Sequence, residues 1–74
     1  MNKVRRIKLA DIVKQLKQLE DQLREVQSEE QDAYDNLPES FQNSGMGEKM
    51  EEAISAIDSA IDYLLDAANE ISGL

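Results

Sequence analysis

Leu9-Ala10-Asp11-Ile12-Val13-Lys14-Gln15-Leu16-Lys17-Gln18-Leu19-Glu20-Asp21-Gln22-Leu23-Arg24-Glu25-Val26 is the stretch on which the fold turns. Within it Leu9, Ile12, Leu16, Leu19, Leu23 and Val26 step by 3, 4, 3, 4 and 3, the spacing that keeps side chains on one face of an α-helix. The register runs on to Glu30, Ala33 and Leu37. In heptad terms Leu9, Leu16, Leu23 and Glu30 fall at a, and Ile12, Leu19, Val26 and Ala33 at d. Neither proline nor glycine interrupts residues 1–36, so one helix is expected over about 3–36.

A second pattern answers the first. Met50, Ile54, Ile57, Ile61, Leu64, Ala68 and Ile71 step by 4, 3, 4, 3, 4 and 3, predicting a helix over about 46–72. Ala53, Ala60 and Ala67 recur beside this seam at g, widening the apolar stripe and letting another helix approach closely. Residues 37–45 form the connection. Pro38 disfavours helical geometry at Leu37 and is suited to opening a new turn, so a short turn is expected over Pro38–Gln42. Asn43 and Ser44 are good N-caps, Phe41 is expected to plug the end of the bundle, and Gly73 supplies a stop.

The chain is therefore read as a single all-α domain, an antiparallel two-helix hairpin assembling into a homo-oligomeric helical bundle. A core in a chain of 74 residues seldom supplies more than about 3–5 kcal/mol without disulfides, metals or partners. Cysteine and histidine are both absent, which removes disulfides and leaves only carboxylates for a metal. Each fully buried Ile or Leu contributes roughly 1.5–3 kcal/mol, and both stripes are broader than one contact covers. A dimer forming a four-helix bundle is the simplest remedy, with a trimer of hairpins the alternative. Folding back tightly would set Ser72 near residue 10, so that residues 1–9 overhang their own hairpin and rest on another subunit or a ligand.

Charge is divided along the chain. Residues 1–17 carry Lys3, Arg5, Arg6, Lys8, Lys14 and Lys17 against Asp11, a net +5, whereas residues 18–74 carry a net −13. The basic N-terminal segment lacks the apolar run of a signal peptide, and no stretch approaches the ~20 apolar residues of a membrane span; a cytoplasmic protein is expected, with no membrane partner. A wholly acidic chain would repel nucleic acid, but this one has a basic end that could contact nucleic acid, a nucleotide phosphate or an acidic protein surface. Nucleic acid is not the expected partner, since the arm lacks the interleaved aromatics of a single-strand binder.

Candidate chemistry is sparse. Glu29, Glu30, Glu48 and Glu51 could hold Mg²⁺ between facing helices, but sixteen acids produce such spacings by chance, and a solvated face is the simpler reading. No catalytic residue, metal ligand or cofactor is assigned. The binding set is Lys3, Arg5, Arg6 and Lys8 on the basic arm, Ser44, Gly45 and Gly47 at a helix start where free N–H groups attract phosphate, and Tyr63 at an outer position. For the arm the simpler reading is internal pairing with Asp62, Asp66 and Glu70; for Ser44–Gly47 it is a capped turn. Tyr34 reads as surface. The acidic face (Glu20, Asp21, Glu25, Glu29, Asp32, Asp35, Asp58, Asp62, Asp66) is either solubilising charge or a mimic of a phosphate backbone.

The segment Ala33-Tyr34-Asp35-Asn36-Leu37-Pro38-Glu39-Ser40-Phe41-Gln42, with Ser44 and then Gly47-Glu48-Lys49-Met50-Glu51-Glu52-Ala53-Ile54, resembles a recurrent group of small acidic helical-hairpin proteins of Gram-positive bacteria and their phages. In that group a D-N-L-P-E-S loop is followed by an A-I-D-x-A-I-D type helix. Gly45 departs from the pattern, which carries an acid there. The resemblance spans most of residues 20–70 and implies a phage or prophage setting in a bacterial cell, without implying an activity. The expected role is stoichiometric binding, as an inhibitor or adaptor of a host defence protein. The alternatives are an oligomeric sponge for a phosphate-bearing signalling nucleotide and a structural assembly component.

Overall fold

The structure, a computed structural model, describes residues 1–74. It is all-α, with α1 over Lys3–Asp35, a single turn α2 over Glu39–Gln42, and α3 over Gly45–Ser72. α1 and α3 lie antiparallel and pack along their length, giving a rod of 58 × 15 × 12 Å. α1 begins where Asn2, in extended geometry, accepts the Arg5 backbone N–H at 2.9 Å, satisfying one of the helix's unpaired donors. Ser72 and Ala10 line the same groove, so they sit level as the tight fold-back requires. The overhang is shorter than expected, because Leu74 continues beyond α3 and its carbonyl accepts from Arg6 Nη1 at 3.5 Å.

The face that α1 turns to α3 differs from the expected seam. The part-buried residues of α1 are Leu9, Val13, Leu16, Glu20, Leu23, Gln27, Glu30 and Tyr34, which alternate between a and e. Ile12, Leu19 and Val26, expected on the seam as core or oligomer interface, are 43%, 47% and 49% exposed in the single chain. The cause is helical geometry: a heptad stripe spanning e, a and d is wider than one neighbouring helix can cover, and α3 sits on the a/e flank. On α3 the expected seam residues Met50, Ile54, Ile57, Ile61, Leu64, Ala68 and Ile71 are all at least part-buried, as are Ala53, Ala60 and Ala67. Only Gly47, Ile61 and Ala68 in the whole chain are fully buried.

Chain reversal is made by backbone packing. Pro38, with ψ of 145°, starts the α2 turn, and the Gln42 side-chain amide ties it back by donating to the carbonyls of Tyr34 and Leu37, each at 3.1 Å. Gly47 then presses on Gln42: a Cβ at Gly47 would stand 2.0 Å from the Gln42 carbonyl oxygen. Phe41 does not plug the end of the hairpin; it is 51% exposed, and the close contact of the turn is made by Gln42 and Gly47. Ser44 occupies the N-cap position of α3, but its hydroxyl donates to the Phe41 carbonyl instead of accepting from the helix.

Gly47 and Gly45 should therefore respond oppositely to the same methyl group. Gly47→Ala forces backbone apart and should cost about 1–3 kcal/mol or more, as overpacking does. Gly45 has no atom within 4 Å of a built Cβ, and Gly45→Ala should be neutral or stabilising by up to about 1 kcal/mol through helix propensity. Urea denaturation of both variants at one protein concentration checks this.

Candidate functional site

Polar residues at the e positions of α1 set the helix–helix register. Gln27 Nε2 reaches across to donate to the Ile54 carbonyl and to Asp58 Oδ1, both at 3.2 Å. One heptad further on, the Tyr34 hydroxyl donates to Glu51 Oε1. This bond holds the phenol's proton and raises its pKa above the ordinary value of 10.0, with some desolvation and the charges of Glu51 and Asp35 acting in the same direction. Tyr34, read from sequence as a surface residue, is thus a register pin. Glu30, at an a position, lines an open groove with Met46, Lys49 and Met50 and makes no ion pair.

The carboxylates considered for a metal are not gathered. Glu48, Glu51 and Glu52 border one open surface with Ser55, away from Glu30, and Glu51 is engaged by Tyr34. No group of three or more ligating side chains is placed to hold an ion.

The basic arm is exposed and unpaired. One ion pair between side chains is present, between Arg24 and Glu20 within α1 at 3.0 Å, so Lys3, Arg5, Arg6, Lys8, Lys14 and Lys17 pair with no Asp or Glu. Pairing of the arm with Asp62, Asp66 and Glu70, expected within the chain or across an interface, does not form within the chain. Arg6 instead turns to backbone, its Nε donating to the Met1 carbonyl at 3.3 Å as well as Nη1 to Leu74. Together Met1, Arg6, Leu9, Ala10, Val13, Ile71 and Leu74 border an open, mainly apolar groove of about 310 Å³. Arg5 and Lys8 face a smaller neighbouring groove with Met1 and Leu9.

At the other end of the rod, the glycine-rich start of α3 does not form an anion cradle. Gly45 is exposed, but Gly47 is buried beneath Gln42, and Glu48 stands in the first turn, where its charge opposes a phosphate.

Tyr63 lies on the outer face of α3 and is 73% exposed. Helical spacing places Glu52, Asp62, Asp66 and Glu70 on the same face, all exposed and none hydrogen-bonded within the chain. Over its length α3 carries seven carboxylates against Lys49 alone. The basic arm and the Tyr63 face lie on different helices, α1 and α3. Sequence reasoning missed the e residues Val13, Glu20, Gln27 and Tyr34; the signal was their heptad spacing, which the polar side chains of the last three concealed.

Comparison with family models, curated proteins and solved structures found no match. No helix is long and apolar enough to cross a membrane.

The Tyr34–Glu51 bond has a pH signature. Because the folded-state pKa of Tyr34 is raised, its contribution to stability is complete below the unfolded value near 10 and is lost as pH rises through the folded value. In a Tyr63→Phe background Tyr34 is the one tyrosine, and its phenolate absorbance should rise at higher pH than free tyrosine. Adding Glu51→Gln should move that titration down, and an unmoved curve would exclude the bond.

Proposed function

We propose that this chain is a non-catalytic binding protein that assembles as a homo-oligomeric helical bundle and acts stoichiometrically on a basic surface of a protein partner. In the phage or prophage setting suggested by its loop motif, the role that fits is inhibition or adaptation of a host protein, including one of host defence.

One observation carries this reading: an aromatic side chain stands 73% exposed amid unpaired carboxylates on the outer face of α3. Tyrosine is enriched among the residues that dominate interface energies. The surrounding charge of one sign steers a cationic partner and raises its rate of encounter. A cleft that ordinarily receives a phosphate backbone would meet comparable charge in Asp62, Asp66 and Glu70. A bundle of two hairpins would present two such faces.

A second reading, sequestration of an anionic nucleotide, is favoured by the unpaired cations around the groove of Met1, Arg6 and Leu9. It predicts a melting-temperature rise with cyclic or phosphorylated nucleotides that Arg6→Glu abolishes.

The protein-binding reading is tested by immobilising the chain in a host-cell lysate and rebuilding the complex from purified components. A saturable, fixed-ratio partner is expected, whose affinity falls with salt and drops at least tenfold for Tyr63→Ala combined with Asp62→Asn and Asp66→Asn. Equal binding by wild type and this variant would exclude the α3 face.

A further inference from the structure

We infer that a second copy of this chain covers Ile12, Leu19 and Val26, with α1 running antiparallel to α1 of its partner about a two-fold axis at Leu19. The inference rests on the self-assembly in the reading above and specifies its interface and orientation; it does not depend on the Tyr63 face.

Surface area identifies a need for cover. The chain exposes 5570 Å², whereas a compact monomer of 8.4 kDa exposes about 4,600 Å². The excess, about 1,000 Å², is close to the ~800 Å² that each partner loses in an interface of standard size. Part of that excess lies on one line along α1, where Ile12, Leu19 and Val26 recur every seven residues and are roughly half exposed. The line is continuous with Leu9, Leu16 and Leu23, which already face α3. A helix laid on it would extend the hairpin's core without repacking it.

Charge selects both the occupant and its direction. The N-terminal half of α1 carries the six cations of residues 3–17 against Asp11, while residues 18–35 carry seven acids against Arg24. A parallel partner would set cations on cations and carboxylates on carboxylates. An antiparallel copy sets each basic half on an acidic one, giving the early cations the Asp and Glu partners they lack within their own chain. The stripe is also self-complementary about its centre. Ile12 and Val26 are each seven residues from Leu19, so the two-fold places Leu19 on the partner's Leu19, and Ile12 on the partner's Val26. The flanking g residues follow: Lys8 meets the partner's Glu29 and Gln15 the partner's Gln22, at positions where interhelical charge pairs set orientation.

The chain has no cysteine, so single cysteines report the geometry. Leu19→Cys should oxidise to a disulfide-linked dimer in high yield, because the two-fold brings residue 19 of both copies together. Ile12→Cys alone should not, since the two copies of residue 12 would stand about 21 Å apart at 1.5 Å per residue, beyond the reach of a disulfide. Mixed Ile12→Cys and Val26→Cys chains should cross-link to each other. Residues 12 and 19 are similarly exposed, so random collision would link both equally and overturn the inference. Self-linking at residue 12 with none at residue 19 would also overturn it, whatever interface produced that pattern. Sedimentation separates the remaining failures. A wild type of single-chain mass would refute self-assembly itself, whereas a dimeric wild type without linkage at residue 19 would refute only this interface. Leu19→Glu should give a single-chain species of unchanged helical content, and a dimer persisting in that variant would count against the stripe.

Discussion

Two helices in contact can shield only one flank of each other, and the physics of this chain follows from that limit. α3 covers the a/e flank of α1, leaving Ile12, Leu19 and Val26 half in water. The resulting core contains two fully buried apolar side chains, Ile61 and Ala68. Against the conformational entropy of ordering the whole chain, so small an interior is a weak counterweight. Helix propensity and end-capping help at the margins, but the missing term is apolar burial, and the stripe on α1 is where it is available.

Polar contacts do a different job from the apolar ones. Gln27 to Ile54 and Asp58, and Tyr34 to Glu51, are few and lie at the edge of the helix contact. Contacts of this kind add modestly to stability, yet each is geometrically strict, and a one-turn slip of α3 along α1 would break them together. The Gln42–Gly47 approach fixes the same register from the loop end, since α3 can begin only where a residue without a side chain meets the α2 turn. Apolar seams of uniform Ile and Leu tolerate sliding; these contacts remove that freedom.

Electrostatics divides the rod into differently charged parts. Cations on early α1 lack carboxylate partners within the chain, while the outer face of α3 is acidic and likewise unpaired. Surface ion pairs contribute little individually, so their absence within the hairpin costs little stability. The consequence is for association: one surface has the charge pattern to meet its own copy reversed, and the other has the charge to meet a basic partner. The acidic cluster at Glu48, Glu51 and Glu52 is spread over an open face, with Glu51 held by a phenol.

The sequence by itself determined that there are two long helices, roughly where they start and stop, that they fold back on each other about Pro38, and which face of α3 is apolar. Those properties depend on local periodicity and backbone chemistry, legible one turn at a time. Tertiary structure decided which half of the broad α1 stripe meets α3, and hence that Val13, Gln27 and Tyr34 face inward while Ile12, Leu19 and Val26 face out. It also decided that Gly47 serves close packing, that Phe41 stays in solvent, and that the basic arm reaches no acid of its own chain. These outcomes were hidden because a heptad pattern defines a stripe without saying which side of it a neighbour will occupy; that choice depends on the crossing of two helices and the geometry of the turn between them.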